Sequence, residues 1–298
     1  MSISEVALTQ ALATQLSNQQ NNIANLQMQI SSGQSLNKPS DNPVAVTQVL
    51  ALSSQASQLT SWQANAATAT SWLGTVTNAA NSVLDAMQSA QTLLLQAANQ
   101  GAENSTGYQA IGHQIRGIVA NLLDFANTQY GERAVFAGTS ASPVAYDSSG
   151  NYLGNSDTPK VVTGAGPGVG ELTSLSVPGM SMFGTGSSNV FATLTTIANA
   201  LITGAPTSSE ISTAVTALSA NMAQAQQATV LLGNAAQQAS SATASLTTQL
   251  SNVQAYSATL EDVNVATATT QLTLETTAYQ VALWAASQAV PETLVKFL

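Results

Sequence analysis

The sequence predicts a mainly α protein: a long antiparallel helical rod with terminal coiled-coil helices and a small β-rich insert domain. Three observations lead there. Long tracts of Ala, Gln, Ser, Thr, Leu and Val flank one Gly/Ser/Pro-rich middle stretch. Both ends of the 298-residue chain carry narrow apolar stripes at heptad spacing. Charged residues are only 6% of the chain, so ion pairs can contribute little and packing must hold the helices.

Residues 4 to 32 read as one amphipathic helix. Leu12, Leu16, Ile23, Leu26 and Ile30 form a heptad stripe, with Gln19 filling the missing seam position. Gly33 is the expected stop. The stretch "SSGQSLNKPSDNPVAV", Ser31 to Val46, then breaks the pattern. Asn42 before Pro43 reads as an N-cap followed by proline at the first helical position. From there to about Gln100 only Gly74 interrupts, which predicts a helix of roughly 85 Å at 1.5 Å per residue. Val46, Val49, Ala56, Leu59, Leu73, Val76, Leu84, Met87 and Leu94 supply its apolar stripe. "NQGAENSTGY" is read as a turn, and Tyr108 to about Tyr130 as a third, returning helix.

Composition shifts at "YGERAVFAGTSASP". Within "PVAYDSSGNYLGN" a hairpin is expected, with Val144–Tyr146 facing Asn151–Leu153 across an Asp-Ser-Ser-Gly turn. "KVVTG" and "LTSLSVPG" are further strand candidates. Helix returns near Asn189, where Phe191, Leu194, Ile197 and Leu201 have helical spacing, and Ser208 is the expected cap of the last long tract. From Leu246 onward the heptad is again regular. Leu246, Val253, Leu260, Leu274 and Val281 share one position, and Tyr256, Val263 and Trp284 the other, diluted by Thr267, Thr270 and Thr277. The predicted division is 1–42 with 246–298 as terminal helices, 43–134 with 189–245 as the rod, and 135–188 as the insert.

Composition also excludes function classes. No cysteine means no thiolate zinc site, disulfide or Cys nucleophile. The one histidine, His113, reads as a solvated or hydrogen-bonded helix residue. The formal charge of −9, with five unclustered basic residues, leaves no nucleic-acid footprint. No tract has the length of a membrane span, and the N-terminus lacks the pattern of a Sec-type leader. "GAGPGVG", Gly164 to Gly170, lacks the spacing of a phosphate loop. Glu261 and Asp262 in "LEDVN" are adjacent on a helix, point about 100° apart and do not converge as an acid–base pair. The "NST" triplet at Asn104 is assigned no role. No cofactor, no metal and no enzyme activity are expected. The terminal stripes fit an intramolecular bundle or a coiled coil that other subunits complete.

Three stretches resemble the bacterial flagellar hook–filament junction proteins (FlgL type), which are relatives of flagellin. They are "LQMQISSGQSLNKPSDNPVAV", "NLLDFANTQYGERAVFAGT" and "LEDVNVATATTQLTLETTAYQVALWAASQAV". "PSDNPVA" and "RAVFAGT" depart from the usual flagellin pattern at the same places. Gln34 and Ser35 stand where the family often has Lys-Arg.

The resemblance implies a structural protein, exported unfolded through the flagellar type III channel and located extracellularly on the flagellum. It would join hook to filament as a ring or short helical tier. Its implied partners are further copies of itself in that ring, the hook-side junction protein, the flagellin filament and an export chaperone. Leu12, Leu16, Ile23, Leu26, Ile30, Val253, Leu260, Val263, Leu274, Val281 and Trp284 would line the subunit interface. Gly33, Pro39, Ser40, Asp41, Asn42 and Pro43 would form a spoke joint between layers. The rival readings are a minor flagellin that polymerises into filament, a secreted adhesin or enzyme using the β insert, and a cytosolic coiled-coil scaffold.

Overall fold

The computed structural model describes residues 3–99, 105–140, 142–164, 171–203 and 206–289. Helix α1 (Ile3–Ser32) ends where Gly33 takes a left-handed φ of 74° and donates its N–H to Gln29 O at 2.9 Å. Glycine adopts that conformation without a Cβ penalty, which is why the helix stops there. Helix α2 (Pro43–Ala98) starts under its expected cap, Ala45 N donating to Asn42 Oδ1 at 3.1 Å. Helix α3 (Ser105–Ala126) follows.

The chain then passes through strands β1 (Gln129–Tyr130), β2 (Arg133–Ala134), β3 (Lys160–Gly164) and β4 (Glu171–Ser174). A short helix α4 (Gly179–Phe183) and the helix α5 (Val190–Ile202) lead to α6 (Ser208–Glu261) and α7 (Val265–Ala289). The protein is mainly α, with a few short antiparallel ladders in the middle of the chain.

The elements differ from the sequence expectation in several places. Helix α3 ends at Ala126, and Gln129–Tyr130, expected at its end, form β1 instead. The cap of α6 is Thr207, one residue before Ser208. Glu210 N donates to Thr207 Oγ1 at 3.1 Å, and Glu210 Oε2 accepts from Thr207 N at 2.7 Å, a reciprocal capping box. The C-terminal heptad is not carried by one helix, because the chain leaves helical form at Asp262, Val263 and Asn264. The heptad register of apolar residues continues across that gap, so periodicity gave no sign of it. The residues Gln100–Asn104 of the expected turn, Ala165–Gly170 of "GAGPGVG", Gly204–Ala205 and the tail "ETLVKFL" lie outside the described residues.

The chain forms two compact units, Met1–Gln58 with Leu250–Leu298, and Leu59–Gln249. In the second, α2 buries Ala66, Ala69, Leu73, Val76, Ala80, Val83, Met87, Ala90, Leu94 and Ala97, every one at 0% exposure. These positions alternate in steps of three and four. Helix α6 repeats the pattern with Ile211, Ala214, Leu218, Asn221, Ala225, Ala228 and Leu232, and resumes it at Ala239, Ala242 and Leu246. A narrow heptad seam thus runs through this unit too, beyond the terminal segments where the sequence shows one. Half of its positions are alanine, which a chain rich in alanine everywhere does not advertise. Gln91 Nε2 donates to Ser219 Oγ and Gln63 Nε2 to Thr247 Oγ1, each at 3.0 Å, fixing an antiparallel register for α2 and α6.

Helices α3 and α5 cross closely. A Cβ at Gly112 would lie 2.8 Å from Ala198 O, so only glycine fits the contact as it stands. The insert's core is aromatic: Tyr146 lies 4.9 Å from Phe191 and 5.1 Å from both Phe183 and Tyr152, ring centre to ring centre. Such clusters contribute beyond their buried area. Burial pushes the Tyr146 phenol well above its ordinary pKa.

Asn127, just past α3, ties the hairpin to the helix. Its Oδ1 accepts from Ala145 N and Tyr146 N at 2.8 and 2.9 Å, and its Nδ2 donates to Tyr146 O at 2.9 Å. The expected hairpin closes through a Tyr146↔Tyr152 bridge, and β3 pairs with β4 in the register Val161↔Thr173.

Candidate assembly interface

In the first unit α1 and α7 lie against each other, and their side chains divide into two sets. On α1, Leu12, Leu16, Ile23, Leu26 and Ile30 are half-buried, and its exposed residues are almost all Ala, Gln, Asn, Ser and Thr. Gln20 Nε2 donates to Tyr279 Oη at 2.6 Å. On α7 the covered side carries Ala268, Leu272, Thr276, Tyr279, Ala282 and Ala286. Leu274, Val281 and Trp284 are instead 67%, 60% and 68% exposed. Leu274 and Val281 each follow a covered residue by two positions, about 200° round the helix. The predicted C-terminal seam is therefore the face of α7 turned away from α1. Among its other predicted members, Val253 is buried and Leu260 and Val263 are half-buried within the same unit.

An α-helix with apolar residues on two faces must have two partners to bury both. Helix α1 covers one. The other bears a shallow groove of about 390 Å³ lined by Ala266, Thr267, Thr270, Gln271 and Leu274. Its chemistry is hydroxyl, amide and aliphatic, without charge, which suits packing against another weakly charged helix.

The joint residues come together in one folded loop. Asp41 carboxylate oxygen accepts from Asn37 N at 3.1 Å and Lys38 N at 2.8 Å, and Asp41 N donates to Lys38 O at 3.0 Å. Pro39 and Ser40 sit inside that turn, where proline presets the backbone. Asn42 and Pro43 then start α2. Sequence reasoning missed the partner of this loop, the "LEDVN" stretch. Ser35 N donates to Glu261 O at 2.6 Å, and Val263 N to Gly33 O at 3.0 Å. Ser35 Oγ donates to Glu261 O at 3.1 Å, and Gln34 bridges Asp262 in antiparallel fashion. Asn264 then caps α7, accepting from Thr267 N at 3.1 Å. A non-helical residue pattern at 262–264, with an Asn three before Thr267, was the available signal.

A larger groove of about 400 Å³ lies in the second unit between α5 and the start of α6. Hydroxyls line it, together with Glu210, whose carboxylate is committed to the Thr207 cap. Among the described residues no cluster of three or more His, Cys, Asp or Glu side chains is placed to hold a metal ion. None of the described helices is long and apolar enough to cross a membrane.

Residues 3–141 match the family model of the bacterial flagellin N-terminal helical region. A second similarity is to flagellar hook-associated protein 3 of Escherichia coli strain K12, 30% identical over 135 residues. The flagellin family model covers a little under half of the chain. The match to the Escherichia coli protein takes in 44% of this chain and 42% of that relative. Two solved structures share the fold. A flagellar hook-associated protein from Vibrio parahaemolyticus aligns with a TM-score of 0.66 at 21% identity, over 74% of this chain and 99% of its own. FlgL of Bacillus cereus aligns with a TM-score of 0.60 at 20% identity, over 70% of this chain and 99% of its own.

Proposed function

We propose that this chain is a flagellin-superfamily protein, a non-enzymatic structural adaptor that joins the bacterial flagellar hook to the filament. It is exported unfolded with the help of a chaperone and assembles as a ring or short helical tier. Its partners are further copies of itself, the hook-side junction protein and the filament. In this reading segments 1–42 and 246–298 form the inner helices, 43–134 and 189–245 the rod, and 135–188 the outer insert. The loop from Gly33 to Pro43 is the joint between inner helix and rod.

The observation that carries the reading is the second apolar face of α7, bearing Leu274, Val281 and Trp284 at 60–68% exposure. A monomer gains nothing from that face, whereas a tube of packed helices buries it. The similarity to flagellar hook-associated protein 3 of Escherichia coli supports the junction over other flagellin-like sites.

The test is complementation with Leu274→Asp and Trp284→Asp. Both variants fold like the parent chain, because neither side chain is buried in it, and both fail to enter sheared hook–filament preparations. Normal incorporation of both would remove α7 from the interface.

A further inference from the structure

The Gly33–Ser35 turn and the Glu261–Val263 break face each other, and each supplies one backbone N–H to the other's carbonyl. The pairing is reinforced from both sides. Gln29 Nε2 donates to Ser35 O at 3.0 Å, Ser257 Oγ to Glu261 Oε2 at 2.9 Å, and Asn37 Nδ2 to Gln34 O at 3.1 Å. Every one of these groups lies at a place where a helix stops: α1 at Ser32, and α6 at Glu261. Two helix breaks far apart in sequence therefore coincide in space and share hydrogen bonds.

From this geometry we propose that Gly33–Ser35 and Glu261–Val263 form a clasp that makes the α1–α7 pair one body with fixed register. The proposal does not depend on where the protein assembles. Its physical basis is the weakness of the α1–α7 contact itself. No described side chain of α1 is buried, and on α7 only Ala268 is, at 5% exposure. Half-buried heptad stripes diluted by Gln and Thr specify register poorly, because sliding one helix past the other by a heptad costs little packing. A backbone clasp at one end removes that freedom, since a slid register would break both of its main-chain bonds. It also gives Gln34 and Ser35 a task that requires no charge. Ser35 acts through its N–H and hydroxyl on the carbonyls of Leu260 and Glu261.

The absence of cysteine makes the test direct. Spin labels are attached to Asn18→Cys on α1 and Gln280→Cys on α7, both exposed, and the interlabel distance is measured by pulsed electron resonance in the full chain. The parent gives a single narrow distance peak. Ser35→Pro and Val263→Pro each delete one clasp N–H, and each loses that narrow peak, while thermal unfolding of the second unit is unchanged. Ser35→Ala keeps both main-chain bonds and keeps the peak. A narrow peak retained in both proline variants would overturn the proposal and leave helix packing as the source of register. Broadening by Ser35→Ala as large as that by Ser35→Pro would equally overturn the assignment to the backbone.

Discussion

Three helical glycines of the second unit respond to alanine in opposite directions. At Gly74 in α2 and Gly117 in α3 an added Cβ meets nothing within 4 Å. There Gly→Ala removes conformational freedom from the unfolded chain and raises helix propensity, a gain of about 0.5–1 kcal/mol each. At Gly112 the same methyl lands 2.8 Å from Ala198 O, 2.8 Å from Ile202 Cγ1 and 3.0 Å from Ile202 N. Two of those three atoms are backbone of α5, so relief requires the helices to separate rather than a side chain to turn. Overpacking of this kind costs about 1–3 kcal/mol and outweighs the propensity gain. For a unit of this size roughly 2–4 °C of melting temperature corresponds to 1 kcal/mol. Gly74→Ala and Gly117→Ala therefore raise the midpoint by about 1–4 °C, and Gly112→Ala lowers it by roughly 2–12 °C. Circular dichroism melts of the three variants, checked by urea titration, read the difference. A Gly112→Ala protein as stable as Gly117→Ala would refute the close α3–α5 contact.

Further expectations follow from the same coordinates. Asn127→Ala removes three hydrogen bonds between the end of α3 and the hairpin and costs about 2–3 kcal/mol in urea unfolding, mostly from buried groups left unpaired. Asn189→Ala removes the α5 cap on Ala192 N and the bond to Gly150 O, costing about 1–3 kcal/mol by the same measurement. In hydrogen exchange of the monomer, amides near Ile23 and Val281 exchange well before those near Leu73 and Leu232; strong protection at Ile23 or Val281 would contradict the weak burial of the terminal pair. Glu210 is held below its ordinary carboxylate range by its bonds from Thr207. The folded value is depressed, so its contribution is complete above the ordinary value of 4.5 and is lost as pH falls through the lowered one. A titration of Glu210 followed by NMR shows the depression, and Thr207→Val, which removes the hydroxyl bond but keeps the larger backbone one, reduces it without abolishing it.

Much of the fold was readable from sequence because local chemistry decided it. Gly33, Asn42 and Pro43 carry explicit stop and start signals, and α1 and α2 obey them. The α5 stripe of Phe191, Leu194, Ile197 and Leu201 is strongly apolar, and all four are buried. What stayed hidden depends on non-local pairing or on residues without chemical contrast. The α2 and α6 seams rest on alanines that look like every other alanine in the chain.

The Asp262–Asn264 break is invisible to a periodicity argument because the heptad phase survives it. It exists because the Gly33–Ser35 turn supplies carbonyl and amide partners from the other end of the chain. Likewise the predicted interface residues share one pattern in sequence, yet fall into an intrachain set on α1 and an outward set on α7. Which face of a two-faced helix meets its own chain is decided by register, and register is set by the loop contacts.

The central claim is that this chain connects hook to filament. Electron microscopy of cells lacking the gene, with the culture medium assayed for filament protein, tests it most directly. Such cells carry complete hooks without filaments and release flagellin into the medium, and the parent gene restores filaments where the Leu274→Asp variant does not. Normal filaments on such cells would contradict it.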